Sequence, residues 1–223
     1  MENDISLIAV LALSSLAPFL IACGTSYIKF SIVFVMVRNA IGLQQIPSNI
    51  TLNGIAFVLS VFVMMPVMKE GYNHFKQQPI DLSSAEAIES WIDSGFDGYK
   101  AYLRKYADRD LAAFFEQAQR QRDGEPDDAE NPPEPSLFAL LPAYALTEIK
   151  DAFKIGFYIY LPFVVIDLLI SSILLTLGMM MMSPVTISVP IKLLLFVVMD
   201  GWTLISKGLL NQYLDLSASG ATF

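Results

Sequence analysis

Hydrophobic positions along this 223-residue chain gather into two blocks separated by a polar stretch. Residues 5–28 carry no charge, which is long enough for a membrane-spanning helix of about 20 residues. Pro18 and Gly24 within that run argue against a straight, rigid rod. A second apolar run covers residues 50–68; Thr51 and Asn53 turn or cap its start after the loop of Pro47, Ser48 and Asn49, and Pro66 and Gly71 close it. Together these runs predict a hydrophobic helical hairpin over 1–68. Lys29 and Arg38 are the only charges from residue 5 to residue 68, and both fall in or beside the connection. The positive-inside rule then places the connection in the cytoplasm, with the N-terminus and the following polar stretch outside.

Residues 69–135 read as a hydrophilic helical insert. Ser83 and Ser84 precede Ala85, Glu86 and Ala87 as a cap precedes a short helix. Tyr99, Tyr102, Leu103 and Tyr106 fall at spacings of three and four, one face of a second helix. Asp108 caps a third helix through Leu111, Phe114 and Phe115. Residues 123–135, DGEPDDAENPPEP, are acidic and proline-rich, the composition of a flexible linker.

The block 136–223 is the more unusual. Leu146, Ile149, Phe153, Gly156, Phe157 and Tyr160 make one helical stripe, with Lys150, Asp151 and Lys154 off it and Asp151 spaced to pair with Lys154. Apolar sequence continues through Asp167 to Gly178, then Met179, Met180, Met181 and Met182, then Ser183 and Pro184. A break is expected there, and another helix after Pro190 carrying Lys192, Asp200 and Lys207 through an apolar face. A simple anchor tolerates neither charges nor breakers at this density; they persist where a segment faces protein or lines a wet path. The fold class is all-α: membrane-associated helical hairpins with a small hydrophilic helical insert.

Composition agrees, with 54% hydrophobic and 16% charged residues, well below the roughly 25% charge of soluble domains. The net charge of -8 is concentrated in residues 69–154, where 17 acidic residues face 10 basic ones. No basic stripe suits a nucleic acid. The one cysteine, Cys23, ends a Leu-Ile-Ala-Cys string resembling a lipoprotein cleavage site, but Glu2 and Asp4 stand where a signal peptide is positive, so a buried packing thiol is the better reading. With a single histidine, His74, neither a histidine triad nor a multi-histidine metal site can be assembled, and no glycine-rich phosphate loop is present. The sequence therefore indicates no catalytic residue, metal or cofactor.

Long strings carry a resemblance. LLPAYALTEIKDAFKIGFYIYLPFVVIDLLISSILLTLGMMMMSPVTISVP over 140–190, IKLLLFVVMDGWTLISKGL over 191–209, YIKFSIVFVMVRNAIGLQQIPSN over 27–49 and TLNG over 51–54 resemble the type III secretion export-apparatus R component, the FliP/SpaP family. The absence of a cleavable signal fits the injectisome branch better than the flagellar one. The resemblance implies a noncatalytic subunit of an export gate in the bacterial inner membrane. It implies a pentamer assembled with S and T components into a ring-like or helical complex, joined by U and V components, through which unfolded proteins pass. The insert would face the periplasm. The resemblance also implies that much apolar surface is buried between subunits, so that helices need not cross the bilayer as simple spans.

It further places a closing constriction at the methionine loop. Repeated around a symmetric ring, the flexible thioether chains of Met179, Met180, Met181 and Met182 would form a deformable gasket, with Gly178 permitting the turn and Pro184 ending the irregular stretch. Core packing is the plainer role for any one methionine. Asp167 and Lys192 flank the loop and can pair within or between subunits, and Asp200 is a candidate interface carboxylate seeking a donor on a neighbouring chain. The alternative is a small proton- or ion-coupled transporter using Asp167.

Overall fold

The computed structural model describes residues 15, 18–19, 21–77, 95–123, 135–179 and 181–214. The Ser83 and Ser84 cap, most of the acidic linker (124–134), Met180 and, in the first apolar run, residues 5–14, 16–17 and 20 lie outside them. Among the described residues the structure is helical, with no strand. The helices that lie wholly among the described residues are α1 (Tyr27–Ile41), α2 (Asn49–Gln77), α3 (Asp97–Tyr106), α4 (Arg109–Asp123), α5 (Leu137–Thr176), α6 (Pro184–Val198) and α7 (Gly201–Asn211). Two are long and apolar enough to cross a membrane, Asn49–His74 and Leu137–Thr176, and α6 with α7 makes a third candidate bent by 60°. The chain divides into two compact units, one drawn from Met1–Ile28 and Met64–Lys150, the other from Lys29–Val63 and Asp151–Phe223.

In the first unit the tyrosine spacing is realised in α3. Tyr102 and Leu103 are buried, each contributing about 1.5–3 kcal/mol by removal from water. The Tyr102 and Tyr144 hydroxyls share a 2.7 Å hydrogen bond, and the Tyr99 hydroxyl donates to the Gly24 carbonyl at 2.8 Å. Burial pushes the Tyr99 hydroxyl up to about 12, with neighbouring Cys23 adding to the effect. Helix α4 is fastened at two points, to the first half of α5 and to the residue just before it. Near Asp108, its carboxylate accepts from the Asp110 amide at 3.0 Å, as a cap should, and from Lys150 Nζ at 3.2 Å, while its own amide donates to Thr147 Oγ1 at 2.9 Å. The Lys150 hydrogen bond is the first cause holding the Asp108 carboxyl below its ordinary range. At the second point the Ser136 amide donates to Glu116 at 2.8 Å and its hydroxyl to Gln119 at 3.0 Å. Cys23 is exposed rather than buried: Gly24 and Ser26 take the inward positions, and the Tyr99 hydroxyl occupies the space a Cβ at Gly24 would need.

The second unit corrects the expected hairpin. Residues 27–41 form helix α1, not a connection. Phe30, Val33, Phe34, Val37 and Ile41 recur at spacings of three and four and are at most 1% exposed. Its two cations are buried as well. Lys29 pairs with Asp151 at 3.5 Å and lies 4.9 Å from the Tyr213 ring centroid, while Arg38 donates to the Pro47 carbonyl at 3.1 Å and to Asn49 Oδ1 at 2.7 Å. These charges serve tertiary packing, so they do not mark a solvated cytoplasmic loop. The true connection is residues 42–48. Ser48, not Thr51 or Asn53, caps α2, its hydroxyl accepting from the Thr51 amide at 3.2 Å, and Asn53 instead accepts from Ser31 at 2.8 Å. Helix α2 then runs through Pro66 and Gly71 to Gln77.

The stripe expected on α5 is largely inverted. Leu146, Phe153, Phe157 and Tyr160 are exposed, whereas Ala139, Leu140, Ala143, Tyr144, Thr147 and Ala152 are buried. Small residues let other segments approach: a Cβ at Gly156 would strike the Met36 thioether. Asp151 finds Lys29 in place of Lys154. Helix α6 begins at Pro184, not after Pro190, because proline at the first position loses no intrahelical hydrogen bond.

Candidate functional site

The methionine loop joins α5 to α6, and its first boundary is set by backbone chemistry. Helix α5 ends at Thr176 and is capped by Gly178, whose φ is +74. The Gly178 amide donates to the Leu175 carbonyl at 3.1 Å and the Met179 amide to the Leu174 carbonyl at 3.0 Å. This is the paired glycine-terminated cap that satisfies a helix's last carbonyls. A further turn follows, with the Met182 amide donating to the Met179 carbonyl at 3.2 Å. Pro184 then occupies the first turn of α6.

Met179 is 39% exposed, Met182 43% and Met181 fully exposed. Leu175, Leu177 and Val185 at the adjoining helix ends are exposed too. The inner faces are packed: Ile170 and Leu174 are buried on α5, and Phe163 meets Phe196 with ring centroids 6.5 Å apart. The loop is a soft apolar tip on two helical legs.

The structure brings Asp167 and Lys192 together, with Lys192 Nζ 2.5 Å from Asp167 Oδ2. Asp167 lies nine residues before Thr176 and Lys192 eight after Pro184, so the contact joins the legs about 12–14 Å from their loop ends. The Lys192 side chain is 6% exposed and that of Asp167 41%. A buried ammonium without a counter-charge would be expensive. A second acceptor, the Ala40 carbonyl at 3.3 Å, lies in the last turn of α1. Sequence reasoning missed Ala40, because a backbone carbonyl 152 positions away leaves no local signal.

Asp200 is not part of that cluster. It is exposed, adopts φ +49 at the bend between α6 and α7, and makes no side-chain cap. The bend is held by aromatics, Trp202 lying 5.3 Å from Phe196 and 6.1 Å from Phe34 by ring centroids. A Cβ on Gly201 would enter the Phe196 ring. Among the described residues no group of three or more His, Cys, Asp or Glu side chains could hold a metal ion.

Charges neutralised inside the chain, an apolar exterior and long apolar helices define an α-helical membrane protein with extensive surface for lipid or protein. Comparison supplies the family. The chain matches the FliP family over residues 10–209. It is 61% identical to the surface presentation of antigens protein SpaP of Salmonella typhimurium over 223 residues, covering 97% of this chain and 100% of that protein. Identity to SpaP of Shigella flexneri is 59% over 218 residues, with 98% and 100% covered. Identity to the Yop proteins translocation protein R of Yersinia pestis is 43% over 213 residues, with 96% and 98% covered. The chain belongs to the FliP/SpaP family, the R components of the type III secretion export apparatus, on its injectisome side.

Proposed function

We propose that this chain is a noncatalytic structural subunit of the type III secretion export gate. Several copies, five by the family resemblance, form the core of a pore in the bacterial inner membrane with S and T components, joined by U and V. Unfolded effector proteins pass through it, the hydrophilic insert faces the periplasm, and the methionine loop closes the resting channel. The relatives' names, which speak of secretion and of Yop translocation, support a role in protein export.

The observation that carries the gate reading is the loop itself: Met179, Met181 and Met182 are exposed at the end of packed legs. A soluble core would cover such side chains, whereas a ring of copies can bring them together at an axis, where flexible thioethers seal against irregular partners. The ion-carrier alternative is weakened because the Asp167 carboxylate is already engaged by Lys192.

Replacing Met179, Met180, Met181 and Met182 together by alanine tests the gate. Complexes of normal size on native gels should leak small ions across membranes at rest. A variant complex that assembles and stays as tight as the parent would overturn the gasket, and loss of assembly without leakage would return the methionines to core packing.

A further inference from the structure

We propose that the last turn of α1 is the seat that fixes the resting position of α6 and, through it, the methionine loop. This deepens the gate reading and rests on it. Two separate contacts within one compact unit make the seat. A Cβ on Gly42 would lie 2.6 Å from Val189 Cγ2, so α6 approaches to the limit that glycine allows. Lys192 Nζ donates to the Ala40 carbonyl at 3.3 Å, placing a cation on the negative end of α1. Val189 and Lys192 are three residues apart and therefore share a face of α6.

The seat is firm on the α1 side. Gly42 ends the helix with φ +93, its amide donating to the Asn39 carbonyl at 3.0 Å and the Leu43 amide to the Arg38 carbonyl at 3.2 Å. Arg38 then ties the following loop through Pro47 and Asn49. Val189 stands five residues after Pro184, about one and a half helical turns into the leg, so displacement at Val189 is carried directly to the loop. Glycine is required at residue 42 for two reasons: its left-handed backbone and the space Val189 fills.

The experiment measures resting ion leakage and native size of the assembled secretion complex in membrane vesicles for Gly42→Ala, Val189→Ala and the double variant. Gly42→Ala should raise leakage several-fold at normal size, Val189→Ala should change it little, and the double variant should return most of the way to the parent, because removing the valine methyls clears the clash. Val189→Phe, which crowds the seat without touching the Gly42 backbone, should leak as Gly42→Ala does. A tight Gly42→Ala complex, or leakage that the double variant leaves unchanged, overturns the seat. Loss of assembly in both Gly42→Ala and Val189→Phe also counts against it, since a seat that only places α6 leaves the subunit able to assemble. The quadruple methionine-to-alanine variant separates the two ideas: if it leaks while Gly42→Ala is tight, the seat fails alone, and if it is tight, the gate reading fails first.

Discussion

Helices α1 and α5 end with the same backbone device and in opposite surroundings. Gly42 and Gly178 both adopt positive φ, and both are followed by an amide that reaches back five residues. Beside Gly42 stands Val189, while a Cβ on Gly178 would meet nothing within 4 Å. Near the first end a buried cation reaches the Ala40 carbonyl; around the second, Leu175, Leu177 and Met179 are exposed. One glycine therefore stops a helix against a packed neighbour, and the other stops a helix at an open edge. The stop signal is local, and what surrounds it sets the consequence of changing it.

The largest effect expected on this comparison comes from removing the counter-charge near the packed end. Asp167→Leu leaves Lys192 buried with a lone carbonyl acceptor, and thermal unfolding in detergent should show a loss of about 3–5 kcal/mol. Next, Gly42→Ala should cost about 2–4 kcal/mol, combining left-handed strain with overpacking against Val189. Gly178→Ala meets only the strain and should cost about 1–2 kcal/mol on the same melt. Smallest of all, Gly178→Asn should lie within a few tenths of a kcal/mol of the parent, since asparagine tolerates this backbone region, whereas Gly42→Asn still meets the valine. Equal losses for asparagine at the two sites would erase the distinction between packed and open ends.

Local signals in the sequence were read well where the physics was local. The tyrosine spacing identified α3, Asp108 identified the start of α4, and Gly178 with Pro184 marked the break around the methionines. Long-range chemistry was hidden. Lys29 and Arg38 suggested a solvated connection because their partners Asp151, Tyr213, Pro47 and Asn49 are brought to them by folding. Pro66 did not end α2: the helix runs through it to Gln77, forgoing the one backbone hydrogen bond that proline cannot donate. The α5 stripe was inverted for a physical reason too: next to lipid or other subunits, large apolar residues can face outward while small ones admit neighbouring segments.

The Asp167–Lys192 pair also bears on how the chain enters a membrane. Asp167 stands near the middle of the apolar half of α5 after Lys154, and Lys192 stands near the middle of α6. Placed alone at the centre of a bilayer, either charge would carry a penalty of about 2.5–3.5 kcal/mol. Delivered as a hairpin, the two charges neutralise one another before either meets hydrocarbon. Entry of both legs as a single hairpin, with the methionine loop carried at its turn, would therefore cost less than entry of either leg alone.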